Sequence, residues 1–172
     1  MRQTGVPELE LEIDVEQPWP AGDWAGLAGR AEQAVAGIAP ELRNSRLSVS
    51  LLFTCDAEIH ALNREWRQRD KPTNVLSFPM LARAELLALA PDGPPELLGD
   101  IALAYETCAR EAAEKAIPFD HHAAHLIVHA LLHLAGYDHE TGDADAEAME
   151  ALETKALAIC GIADPYGTPP RG

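Results

Sequence analysis

The sequence predicts a single α+β domain, and three observations carry that expectation. Strand-like segments lie in the first two thirds of the chain, and helical periodicity dominates from residue 106 onward. Helical stretches are interspersed among the strands, as in one layered body of sheet and helices. No repeat or linker divides the 172 residues, a length that suits one domain with a real core. The domain is expected over 1–163, with "DPYGTPPRG" (164–172) as a frayed tail.

In chain order, "ELELEIDV" (8–15) alternates strictly, placing Leu9, Leu11, Ile13 and Val15 on one face of a half-buried strand. Residues 20–40 carry Trp24, Leu27, Ala31 and Val35 at helical spacing and stop at Pro40. "RLSVSLLFT" (46–54) alternates again. Asp56 is positioned to cap a helix over 57–68 with Ile59, Leu62 and Trp66 inward. "NVLSFPM" (74–80) is a short strand ended by Pro79, and "LLGDIALAY" (97–105) is apolar enough to be central. Between them "ARAELLALAPDGPPE" (82–96) suggests an exposed loop beside the site. Helices follow at roughly 106–117, ended by Pro118, at 121–135, capped by Asp120, and at 145–160. The expected architecture is four strands with about five helices.

Composition narrows the function classes. The chain is 47% apolar and 24% charged, as a soluble globular protein is. It has no run of 18 apolar residues and no apolar segment at its start, so a cytoplasmic protein with no membrane partner is expected. Cys55, Cys108 and Cys160 are far apart and odd in number, which suggests reduced, buried thiols. A net charge of −15 argues against binding nucleic acid through the overall field. One segment runs against that trend. In "NREWRQRDK", Arg64, Arg67, Arg69 and Lys71 place four of thirteen basic residues within eight positions. Charge pattern alone reads this either as a solvated helix end or as a local phosphate track.

The chemistry concentrates in "HLIVHALLHLAGYDH" (125–139), four histidines within fifteen residues. His129 and His133 lie one above the other on a helical face and can grip one metal ion. His139 cannot join them along a continuous helix, because ten residues rise about 15 Å. Gly136 stands where the chain must turn back, and glycine takes the left-handed conformation cheaply. Three imidazoles leave a fourth position for water, the arrangement of a catalytic rather than a closed structural zinc. His125, one turn earlier, reads as an outer residue or a packing residue, and Asp138 as an outer carboxylate or a solvated turn residue. His121 and His122 belong to an exposed first turn. The seven acidic residues from 138 to 153, with no basic one among them, look like a solvated helix face. The ligand spacing is that of the metzincin proteases. Ala130, however, occupies the position of their catalytic glutamate, which argues against a metallopeptidase.

These residues match a known pattern. "HALLHLAGYDH" closely resembles the signature H-G-x-L-H-L-x-G-Y-D-H of the YbeY family, single-strand-specific endoribonucleases of bacterial ribosomal RNA maturation. "LNREWRQRDKPTNVLSFP" (62–79) and "LLGDIALA" (97–104) resemble two further family blocks, in family order. The resemblance implies a zincin-like α+β fold with a small mixed sheet, and one zinc ion on His129, His133 and His139. It implies Arg67 and His129 as catalytic residues. It also implies 16S ribosomal RNA 3′-end processing, with single-stranded RNA as substrate, ribosomal proteins and assembly factors as possible partners, and no DNA. A ribosome-assembly factor with a structural zinc is the alternative. The chain departs from the pattern at Ala130, where the signature has glycine, adding a methyl group near the expected pocket. It departs again at Asn74, where the family often has aspartate.

Overall fold

The computed structural model describes residues 8–69, 73–137 and 143–162. Its strands are β1 (Glu10–Val15), β2 (Leu47–Thr54), β3 (Val75–Pro79) and β4 (Glu96–Ala104). The helices are α1 (Trp24–Ile38), α2 (Asp56–Arg67), α3 (Arg83–Leu87), α4 (Tyr105–Lys115), α5 (Phe119–Leu134) and α6 (Asp143–Ile159), with one 3-10 turn at Pro40–Leu42. The sheet order is β1-β2-β4-β3; β1, β2 and β4 run parallel and β3 runs antiparallel to β4 at the edge. The expected α+β class and small mixed sheet are thus observed, with six α-helices among the described residues rather than about five.

Alternation along the strands divides the sheet into two unequal faces. Val49, Leu51, Phe53, Ile101 and Leu103 are buried in the main core with α1, α5 and α6. The opposite residues Leu52, Leu76, Phe78, Ala102 and Ala104 form a smaller cluster with Ile59 and Leu62 of α2. Burial of all but a few side chains of α5 makes it the central helix, touching α1, α4, α6, β3 and β4. At one end Trp19, Trp24, Phe53, Tyr105 and Phe119 pack edge to face or tilted, 4.8–5.9 Å between ring centres.

Gly99 explains itself through its neighbours. A β-carbon there would lie 2.5 Å from the Phe78 carbonyl and 2.6 Å from a Leu134 methyl, so only glycine lets β3 and the end of α5 close on β4. Just before it, the β2–β4 register jumps from Ser48–Leu97 to Val49–Gly99, a bulge that accommodates Leu98.

Several local expectations are corrected. Asp56 does not cap its own helix, whose cap position is Cys55. Its carboxylate instead accepts from the Thr107 amide and hydroxyl at 3.0 and 2.9 Å, while Glu106 accepts from the Asp56 amide at 2.8 Å. The starts of α2 and α4 therefore cap each other. Helix α5 begins at Phe119 with Pro118 at its cap, so Asp120 lies inside the first turn. Trp66 points outward and is 63% exposed, and Val15 is 46% exposed at the end of β1. Only Cys108 is fully buried; Cys55 and Cys160 are half-buried. Burial pushes the Cys108 thiol up to about 12, with Glu111 adding to the rise. The expected tail, 164–172, lies outside the described residues.

The stretch 82–96 contains α3 and is tied down rather than free. Arg46 donates to the carbonyls of Ala90 and Pro94 at 3.0 and 2.9 Å, and Asn44 donates to Ala90 at 3.2 Å. Its Pro/Gly composition conceals these anchors because they come from side chains some forty-five residues earlier. No described helix is long and apolar enough to cross a membrane.

Candidate functional site

Between residues 122 and 135 of α5 and its cap, every residue is buried except His129 and His133. Four apart, the two imidazoles share one helical face, the single stripe of the helix that opens outward. The apolar residues around them thus do two jobs: they seat the helix in the core and restrict its access to the site to two rings.

Each ring is held by its Nδ1 atom. His129 Nδ1 lies 2.8 Å from Glu153 Oε2, and His133 Nδ1 lies 2.5 Å from the Ser77 hydroxyl. The second oxygen of Glu153 takes His125 Nε2 at 2.7 Å. An ionised carboxylate only accepts, so it selects the Nδ1–H tautomer of His129 and the Nε2–H tautomer of His125. His129 then presents the Nε2 lone pair, the arrangement by which an outer carboxylate orients a metal-ligating histidine. His125 acts through Glu153, in keeping with an outer role. Glu153 itself was expected on a solvated acidic face; it is 1% exposed. Nothing in the run of acidic residues distinguishes it, because its role depends on α6 packing against α5.

The end of α5 is built to turn. Gly136 has φ of +102°, its amide bonds to the His133 carbonyl, and the Tyr137 amide bonds to Leu132, a paired closure of the helix end. Arg83 of α3 clamps this turn: it donates to the Ala135 carbonyl at 2.6 Å, pairs with Glu41 at 3.0 Å, and lies 4.5 Å above the Tyr137 ring. Tyr137 donates to Glu41 at 3.2 Å. Burial and the Glu41 charge push its phenol up. The turn therefore closes α5 at Gly136 and Tyr137. His139 and Asp138 lie outside the described residues, as does Lys71 of the basic cluster. Among the described residues no group of three or more His, Cys, Asp or Glu side chains is arranged to hold a metal ion. What is described fits one: two rings on one face, with outer partners on their Nδ1 atoms.

Arg67 ends α2 on the other side of β3. Its guanidinium donates to the Ser77 carbonyl and lies 5.2 Å from the centre of the Phe78 ring. Ser77 thus joins the two halves of the site, its hydroxyl on His133 and its carbonyl on Arg67. Arg64 and Arg69 are exposed nearby in sequence. Ala130 faces the main core at 0% exposure, so its extra methyl group packs there rather than beside the two imidazoles.

His122, expected at the surface, is buried at 1% exposure. Its Nε2 meets Glu111 at 2.8 Å, and the same carboxylate oxygen accepts from Asn74 at 3.0 Å. An aspartate at 74 has no N–H to give Glu111, so the departure at Asn74 is compatible with this network. Burial lowers the His122 pKa, against the opposing pull of Glu111. For Glu111, burial acts upward but is outweighed by the Asn74 and His122 hydrogen bonds and by the nearby positive charges, leaving its pKa lowered.

Fold and site together define an α+β protein with a paired-histidine face and an arginine on opposite sides of one edge strand. The chain belongs to the Endoribonuclease YbeY family, whose family model matches residues 23–161. It is 64% identical to a protein named Endoribonuclease YbeY from Erythrobacter litoralis, over 92% of this chain and 98% of the relative. It is 58% identical to one of the same name from Novosphingobium aromaticivorans, over 91% and 95%. The solution structure of TM1509 from Thermotoga maritima shares the fold, with a TM-score of 0.57 at 23% identity, covering 92% of this chain and 99% of that one.

Proposed function

We propose that the protein is a metal-dependent, single-strand-specific endoribonuclease of the cytoplasm that processes the 3′ end of 16S ribosomal RNA and so serves ribosome maturation. The observation that carries this reading is the pair of imidazoles on α5, each with Nδ1 engaged, His133 bridged through Ser77 to Arg67. His129, His133 and His139 hold one zinc ion, which when bound polarises a phosphoryl oxygen and acidifies water. Arg67 binds the scissile phosphate, and its planar guanidinium offsets the charge that develops on the non-bridging oxygens. Ser77 and Phe78 hold Arg67 in place, while Glu153 keeps His129 in its ligating tautomer. The exposed Arg64 and Arg69 carry the adjoining backbone.

Cleavage of single-stranded ribosomal RNA by the purified protein tests this, beside Arg67→Ala and His129→Ala. Arg67→Ala is expected to lose about 10²–10³ in rate while keeping its metal, as removal of one charge-stabilising donor does. His129→Ala is expected to lose both metal and activity. Equal cleavage by all three proteins overturns the proposal.

A further inference from the structure

The sheet face that α2 covers only in part leaves a groove of about 410 Å³ that the histidine site does not use. Its walls are Leu62 and Trp66 of α2 and Phe78 and Met80 at β3, and its floor includes Ser50 and Asp100. Two of the wall residues are open to solvent, Trp66 at 63% and Met80 at 52%. The other two tryptophans, Trp19 and Trp24, are buried at 5% and 9%. A large, rigid indole left outside the core, beside the apolar side chains of Leu62 and Phe78, calls for an occupant.

The surroundings say which kind. Arg67 follows Trp66 directly, and its guanidinium lies over Phe78, the groove's second aromatic wall. Arg64 and Arg69 are exposed on either side of it in sequence, and Arg67 sets a positive charge on the groove's wall in a chain of net charge −15. An apolar groove for a protein segment needs no such charge; a groove for one base of a strand whose phosphates run past it does. Aromatic side chains beside arginines along a backbone track are the elements of single-strand recognition. The floor adds polarity: Asp100 can accept from the N–H groups of a base edge, and Ser50 can donate or accept.

We propose that this groove is a nucleobase subsite. Resting on the endoribonuclease reading, it assigns Trp66 and Phe78 to stack one unpaired base of the RNA while the adjoining phosphate, the scissile one, lies on Arg67 at the β3 edge shared with His133. A paired base cannot enter, so the subsite makes single-strandedness a condition of productive binding. Asp100 favours a base that presents N–H donors to it.

The test uses short single-stranded oligoribonucleotides, 2′-O-methylated to block cleavage, titrated into the full chain and followed by tryptophan fluorescence and anisotropy. Binding is expected to quench the exposed Trp66. Trp66→Leu is expected to weaken binding about ten-fold, with Trp66→Phe restoring most of it. The slope of log affinity against log salt should stay unchanged in Trp66→Leu, whereas Arg67→Ala should reduce it by about 0.7, one phosphate contact. Placing an abasic spacer at successive positions should cost the wild type affinity at one position and cost Trp66→Leu nothing there. Circular dichroism of the variants guards against misfolding.

Equal affinity of wild type and Trp66→Leu, with the wild type still cleaving RNA and Arg67→Ala not cleaving, overturns the subsite alone and leaves the groove to a protein segment. A wild type that neither binds nor cleaves RNA overturns the endoribonuclease reading, and the subsite falls with it.

Discussion

A carboxylate with both oxygens committed to imidazole rings, as in Glu153, has no latitude in its position. Glu153→Gln keeps the shape but offers one acceptor where two are needed and turns an N–H toward a ring N–H. The expected outcome is a folded protein whose zinc affinity falls about 10–100-fold, read by competition with a chelator. Affinity equal to wild type would reduce Glu153 to a packing role. The shared face of His129 and His133 was legible in the sequence because helical spacing is a local code. Glu153 was not, because its place is set by the packing of α6 on α5, and a buried carboxylate in an acidic run looks like its neighbours. Cys108 offers a second residue-scale prediction. With its thiol pushed up to about 12 and buried, it should resist maleimide at pH 8 in the native protein and react on unfolding.

Elements meet at two junctions that matter for the site. At the first, Gly136 and Arg83 fix the exit from α5. Gly136→Ala forces a side chain into a positive φ and to within 2.6 Å of the Arg83 β-carbon. It should cost on the order of 1–3 kcal/mol in denaturant unfolding and, if the proposed ligand His139 binds zinc, lower zinc affinity as well. The glycine and its direction were legible; the arginine that clamps it sits in a segment whose composition reads as loop. At the second junction Asn74, Glu111 and His122 tie the start of β3 to α4 and α5. Folded His122 binds a proton less readily than its ordinary 6.5, so just below that pH the unfolded chain takes up the proton and stability falls. Glu111, held below its ordinary 4.5, adds a further loss as pH drops through 4.5 toward its folded value. Melts between pH 7 and 4 should show this decline, and His122→Gln should flatten its upper part.

For the whole molecule, net charge sets the terms of RNA binding. A chain at −15 repels phosphate except along the arginines of α2 and the residues after it. If Arg64, Arg67 and Arg69 each engage one phosphate, log affinity should fall against log salt with a slope of about −2. A slope several-fold steeper would mean that the footprint extends well beyond this cluster. The α+β class, the four strands and most of the helices were readable from periodicity, which records what each segment buries. Strand order was not, nor the mutual capping of α2 and α4, nor the outward turn of Trp66. Each of these depends on partners far away in sequence, and a heptad-like apolar position says nothing about whether its facing surface is covered.

Strand β3 has one neighbour in the sheet, yet it carries both the hydroxyl that holds His133 and the carbonyl that holds Arg67. Five residues at an edge open more easily than a central strand, independently of global unfolding. Amide hydrogens of β3 should therefore exchange faster than those of β2 and β4, and bound RNA should slow them. The proposed catalytic assembly would then have a stability of its own, lower than that of the core beneath it.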